Sequence, residues 1–314
     1  MGNPVSLLVV GSVALDTVET PFGSVVDALG GSAVFFACAA CLIHPVQVVG
    51  VVGDDYPIRE LEKFKSRGVD LDGVVKVKGE SFRWKGKYSY DLQNRETLET
   101  RLGVFANFQP RIPERFRQAE WVFLGNIDPE LQLSVLDQIK QPKLVACDTM
   151  NYWIQSKRDV LLELLRHIHV LMVNDGEARE LSGDWNIYRA ARWILDRGPR
   201  MVVIKQGVYG AVLTERDRFF YVPAYPLEEV FDPTGAGDSF AGGFMAHLAR
   251  SGDFSPASLR RAMVFGATMG SFAVEDFSIQ RLAKIGPAEV SARARAFQDL
   301  VHFEIGPEHL ADAS

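Results

Sequence analysis

The stretch "FDPTGAGDSFAGGF", Phe231 to Phe244, places Gly235 and Gly237 between two aspartates, Asp232 and Asp238, and then begins a helix. Phe240, Phe244 and Leu248 recur at helical spacing, and Gly242 and Gly243 permit close packing, so Gly235-Ala236-Gly237 reads as a helix N-terminus. Free backbone N–H groups there point outward, the helix dipole adds partial positive charge, and glycine lets a ligand come close to the backbone. Together these make an anion site. A carboxylate beside such a site is costly unless it has a task. Where a substrate hydroxyl meets a transferable phosphoryl group, Asp238 can orient the hydroxyl and take its proton while the backbone donors stabilise the phosphoryl oxygens. Read in isolation, the same residues also suit a plain turn with Asp238 capping the helix.

Composition narrows the classes of function. The chain has 314 residues, 47% hydrophobic and 24% charged, enough for one large α/β domain or one domain with an insertion. Its net charge is −6 and its basic residues are scattered, so no nucleic acid and no membrane is expected as a partner, and a small molecule is. The apolar run Val5 to Asp16 is interrupted at Gly11 and Ser12 and is too short to span a bilayer; it reads as a first strand. "MGNPVS" fits the N-myristoylation pattern at Gly2 and Ser6, yet it leaves little spacer before that strand. Cys38, Cys41 and Cys147 are too few for a disulfide framework and point to reduced thiols in a cytoplasmic compartment. The Cys38–Cys41 pair lies in the apolar "AVFFACAACLI" with no second pair at zinc spacing, so both read as buried small residues. His44, His167, His169, His247, His302 and His309 show no metal-site spacing.

Along the chain, "SLLVVG", "VQVVGVVG", "WVFLG", "KLVACD", "VLMVN" and "MVVIKQG" are short, β-branched and continuously apolar, as in strands covered on both faces. Pro129 to Ile139 and Arg158 to Ile168 have helical periodicity and suffice as crossovers. The expected fold is α/β: a doubly wound, three-layer α/β/α arrangement around a mostly parallel sheet, one domain over 1–314. Residues 73–105 break this pattern. Across "FRWKGKYSYD" polar residues alternate with aromatic ones, which predicts exposed antiparallel strands, an inserted small β-sheet completed by a strand contribution from about 13–28.

The run "DPTGAGDSFAGGFM", Asp232 to Met245, resembles the C-terminal signature of the ribokinase family, the sugar and nucleoside kinases also called the phosphofructokinase B family. Further similarities follow in the family's order. "GSVALD" resembles its first strand with a substrate-binding aspartate, "GGS" (Gly30 to Ser32) its paired glycines, and "VVGVVGDD" its second strand and turn. "NDGE" resembles its NxxE element and "KQGVYGA" its nucleotide-contacting glycine turn. The resemblance implies a ribokinase-like fold and phosphorylation of a hydroxyl with ATP and Mg²⁺. It makes Asp238 the base, with Gly235, Ala236 and Gly237 as the anion hole. Asp16, with Gly30, Gly31 and Ser32, would bind the acceptor. Asn174, Lys205, Gly207, Gly210 and Thr234 would bind ATP, and Glu177 would hold Mg²⁺ through water. The helix Ser258 to Asp276 would form the adenine pocket, and the inserted strands a lid that doubles as a homodimer surface. A monovalent cation occurs in many relatives; the sequence neither supports nor excludes it. Taken singly, Asp16 also suits an Asx-turn, and Asn174 to Glu177 a helix start.

Ribokinases usually follow the paired glycines with an asparagine that reaches sugar hydroxyls, whereas "GGSAVFFA" places Phe35 there. With Trp84 and the other lid aromatics Phe82, Tyr88 and Tyr90, this suggests rings that stack on a nucleobase; the same alternation also suits the packed face of a sheet or a dimer seam. "ETPFG", "SFRWKGKYSYD", "GNIDPELQ" and "CDTMNYW" look like a bacterial nucleoside-kinase branch of the family. The expected acceptor is a nucleoside; the alternatives are a sugar, or a non-catalytic regulator that binds a nucleotide or metabolite.

Overall fold

The computed structural model describes residues 6–302; Gly2 and His309 lie outside them. The strands are β1 (Leu7–Val10), β2 (Ala14–Thr20), β3 (Gly23–Gly30), β4 (Val46–Val52), β5 (Val69–Lys76), β6 (Phe82–Tyr88) and β7 (Arg95–Arg101). They continue as β8 (Trp121–Leu124), β9 (Leu144–Asp148), β10 (Val170–Asn174), β11 (Met201–Lys205), β12 (Ala211–Thr214) and β13 (Phe219–Val222). The first helices are α1 (Ser32–Ala40), α2 (Ile58–Glu62), α3 (Pro129–Leu136), α4 (Asn151–Ser156) and α5 (Arg158–Leu165). The rest are α6 (Asp175–Ser182), α7 (Ile187–Leu195), α8 (Ala236–Ser251), α9 (Pro256–Ala273), α10 (Gln280–Lys284) and α11 (Pro287–Val301).

Among the described residues nine strands form the main sheet in the order β13-β12-β11-β10-β9-β8-β1-β4-β5, parallel except for β12 and β13. The continuous apolar runs have their explanation in β1, where Leu7 and Val9 face one core cluster and Leu8 and Val10 the other. Burial on both faces leaves no strand position for a polar side chain. Helices cover each face, which gives the three layers. Helix α1 is buried along its whole length, carrying Cys38 with it. Helix α8 is clamped between neighbours: a Cβ on Gly242 would come within 2.5 Å of the Phe36 carbonyl oxygen, and one on Gly243 within 2.4 Å of that of Phe265. Among the described residues no helix is long and apolar enough to cross a membrane.

A second sheet has the order β3-β2-β6-β7. Its extent differs from the expected 73–105. Residues 73–76 end β5, an edge strand of the main sheet, because Gly73 and Val74 pair with Val49 and Gly50 of β4. Gly103–Asn107 is a 3-10 turn. Half of the second sheet comes from residues 14–30, with β2 pairing parallel to β6.

Candidate active site

The site forms where chain ends converge. Asp148 ends β9, Asn174 ends β10 and Lys205 ends β11, three adjacent strands with Asn174 paired to Lys205. Carboxyl ends of parallel strands are where α/β sheets bind ligands. Lys205 Nζ lies 3.1 Å from Asp148 Oδ2, across β10. Burial opposes its charge, but Asp148, Glu177 and Asp238 hold the ammonium pKa above the usual lysine value.

Helix α8 faces these strand ends. Gly235 caps it with φ 75°, in the left-handed region, and Asp238 sits in the first turn. A Cβ on Gly237 would come within 2.9 Å of Lys205 Nζ, so the ammonium stands beside the helix N-terminus. Loss of hydration, then the charge of Asp148, pushes Asp238 up to about 7, while Lys205 and Arg95 pull it down. Asp232 is buried and braces the loop, accepting from the Thr234 N–H at 2.8 Å and the Ser278 N–H at 3.3 Å.

Asn174 and Glu177 cap α6 reciprocally: Asn174 Oδ1 accepts from Glu177 N–H and Glu177 Oε2 accepts from Asn174 N–H, both at 2.7 Å. The helix-start reading of this element is therefore correct, and it fixes Glu177 facing the cleft charges. Burial first, then Asp148, raises Glu177 to about 7, with Lys205 opposing. Gly207 and Gly210 hold positive φ in the turn after β11, closed by a 2.8 Å bond from Gln206 N–H to the Gly210 carbonyl.

At the acceptor end, Asp16 is 6% exposed and packs over Gly30, where a Cβ would come within 1.9 Å of its Oδ2. Burial and the charges of Asp232 and Asp238 push it up to about 7, against the Gly31 N–H and Arg95. Its carboxyl thus feels Asp238, which joins the two ends of the cleft. Trp84 is the register partner of Asp16. The Trp84 indole lies across Gly86, donates from Nε1 to Thr97 Oγ1 at 3.3 Å, and carries the Arg95 guanidinium 5.1 Å from its ring centroid.

Several expected roles change. Phe35 does not open onto the cleft: it is 2% exposed and its ring lies under Gly235. A helix-first-turn position in a fully buried helix directs it to the core. The Ser32 hydroxyl is tied to Ser12, accepting from its N–H at 3.2 Å, so it braces the first turn rather than facing an acceptor. The Thr234 hydroxyl donates to the Tyr88 hydroxyl, 3.1 Å away, a contact that leaves its expected place at the nucleotide open. Tyr90 is 82% exposed and leans on Phe22, outside the cleft. Asp148 and Arg95 are not legible as site residues in the sequence. Asp148 has one usable signal, its place at the end of an apolar strand run; Arg95 carries no local signal, and only its register opposite Tyr88 brings it over Trp84.

A model of the pfkB family of carbohydrate kinases matches residues 6–284. The cytidine kinase of Thermococcus kodakarensis is 32% identical over 250 residues, 78% of this chain and 88% of that protein. The structure of Burkholderia thailandensis nucleoside kinase in complex with inosine superposes with a TM-score of 0.77 at 21% identity, covering 94% of this chain and 98% of that one. Methanocaldococcus jannaschii nucleoside kinase does so with a TM-score of 0.74, also at 21%, over 94% and 100%. These structures share the fold. The chain belongs to the pfkB family of carbohydrate kinases, and it is a phosphotransferase with an alcohol group as acceptor.

Proposed function

We propose that this kinase transfers the γ-phosphoryl group of Mg-ATP to a hydroxymethyl group of a nucleoside. The observation that carries the acceptor is the pairing of Asp16 with Trp84 across β2 and β6. A carboxylate for ribose hydroxyls stands beside an indole ring that a base would take over from the Arg95 guanidinium, a combination that suits a nucleoside rather than a free sugar. The cytidine and nucleoside kinases among its relatives support the same acceptor.

In this reading Asp16 accepts hydrogen bonds from the ribose hydroxyls and so orients the sugar. Asp238 takes the proton of the attacking hydroxymethyl group, a task suited to a carboxyl near 7. The N–H groups of Gly235, Ala236 and Gly237 and the Lys205 ammonium stabilise charge on the transferring group. Glu177 Oε2 is held by the Asn174 N–H, which leaves the second carboxylate oxygen for a ligand, so the residue fits a hydrated divalent cation: Glu177 would hold Mg²⁺ through water, and the ion would neutralise phosphate charge. Asn174 and the turn Gly207 to Gly210 would line the nucleotide. The second sheet would exclude water as a lid, and its exposed apolar residues, Val26 of β3 at 73% and Tyr90 in the turn after β6 at 82% exposure, would serve as a homodimer seam.

A coupled ADP-release assay with Mg-ATP over a panel of nucleosides and sugars tests the acceptor. A nucleoside is expected to exceed ribose or fructose in kcat/KM by about ten- to a hundredfold, the scale of one stacked base, and Trp84→Ala is expected to shrink that margin alone. A sugar that outperforms every nucleoside would replace this reading with a sugar kinase.

A further inference from the structure

Three carboxylates act on one ammonium at the head of the cleft. Lys205 feels Asp148, Glu177 and Asp238, and its hydrogen bond goes to Asp148. The ion pair is well covered, with side chains 16% and 8% exposed. Asp148 is itself fixed: its Oδ1 accepts from the Thr149 N–H at 2.7 Å, and its carbonyl accepts from Gln132 Nε2 at 3.0 Å. Gln132 is buried, so the anchor is rigid.

A lysine is a compact charge on a flexible stem and takes the partner that is offered. Without Asp148, the carboxylates left acting on the ammonium are those of Glu177 and of the base, Asp238. An ammonium paired to Asp238 would weaken it as a proton acceptor and be spent on that carboxylate instead of on the phosphoryl group. Held by Asp148, the same ammonium stands beside Gly237, where the helix dipole already favours an anion. Resting on the kinase reading above, we propose that Asp148 is a positioning residue that parks Lys205 at the α8 N-terminus, available to the transferring phosphoryl group and apart from Asp238.

The test is a double-mutant cycle with two readouts. Asp148→Asn keeps the side-chain shape and loses the charge. It is expected to lower kcat by about ten- to a hundredfold, the scale of one charged hydrogen bond, with acceptor KM within about twofold. In a Lys205→Met background it should add no further loss beyond about twofold. A loss of equal size in both backgrounds would mean that Asp148 merely supports the fold, and would overturn the proposal. The second readout needs no acceptor: the affinity of a non-hydrolysable ATP analogue relative to ADP, measured by calorimetry. That ratio should fall in Asp148→Asn and in Lys205→Met, and an unchanged ratio in either overturns the proposal. If Asp148→Asn does not fold, Asp148→Ser takes its place in both measurements, with the same expected and overturning results. A wild-type protein that releases no ADP with any acceptor would sink the kinase reading, and the binding ratio would still decide on Asp148.

Discussion

The ring of Phe35 lies against the α-carbon of Gly235, so closely that a Cβ there would come within 2.2 Å of Phe35 Cγ. A core side chain thus forms the floor of the glycine turn, and the turn can only be glycine, both for that contact and for its φ of 75°.

Gly235→Ala is expected to displace the α8 amides and lower kcat by about 10²- to 10³-fold, as for loss of an oxyanion donor. Phe35→Ala should cost about 3–5 kcal/mol of stability as a cavity and reduce kcat without altering which acceptor is preferred. Steady-state kinetics on the acceptor panel and denaturant unfolding check both. If Phe35→Ala changed nucleoside preference while kcat held, the ring would be meeting the base after all.

This relationship also shows how far the sequence can be read. The strands are legible because burial on both faces leaves only apolar residues, as in Leu7–Val10. The anion turn is legible because the left-handed φ of Gly235 is a local demand, and the helical periodicity of α8 begins at once after it. Phe35 is not, because its local position matches a sugar-binding asparagine whereas its direction is set by the packing of α1 on α8. The end of β5 reads as part of the insertion because Gly73–Lys76 has the composition of either sheet, and pairing with β4 decides between them. Asp148 and Lys205 are 57 positions apart, so their pairing follows from strand order alone.

Asp16→Ala should raise acceptor KM by about ten- to a hundredfold, since hydroxyls lose a charged partner worth roughly 1.5–3 kcal/mol, while KM for ATP stays within about twofold. Initial-rate kinetics with each substrate varied separates the two. Equal rises in both would make Asp16 a support of the fold.

Asp16, Glu177 and Asp238 are each raised to about 7 in the folded protein, against roughly 4 in an unfolded chain. The folded state then binds protons more readily, so these groups favour folding most below about pH 4 and lose that contribution as pH rises through 7. Asp238→Asn removes one such group. Its melting temperature should exceed that of the wild type most above pH 7, with the difference narrowing toward pH 4. Calorimetry across that range, without ligands, reads it; a pH-independent difference would contradict a raised Asp238.

In the proposed reaction Asp238 takes the proton of the acceptor hydroxyl. Single-turnover transfer of labelled γ-phosphate to the preferred acceptor, in wild type and Asp238→Asn, addresses it directly when paired with ATP affinity by calorimetry. Transfer is expected to fall by more than about 10²-fold with ATP affinity within about threefold, because a base acts in the transition state and contributes little to ground-state binding. Transfer by Asp238→Asn at more than about a tenth of the wild-type rate, a barrier change under one factor of ten, would remove Asp238 from that role.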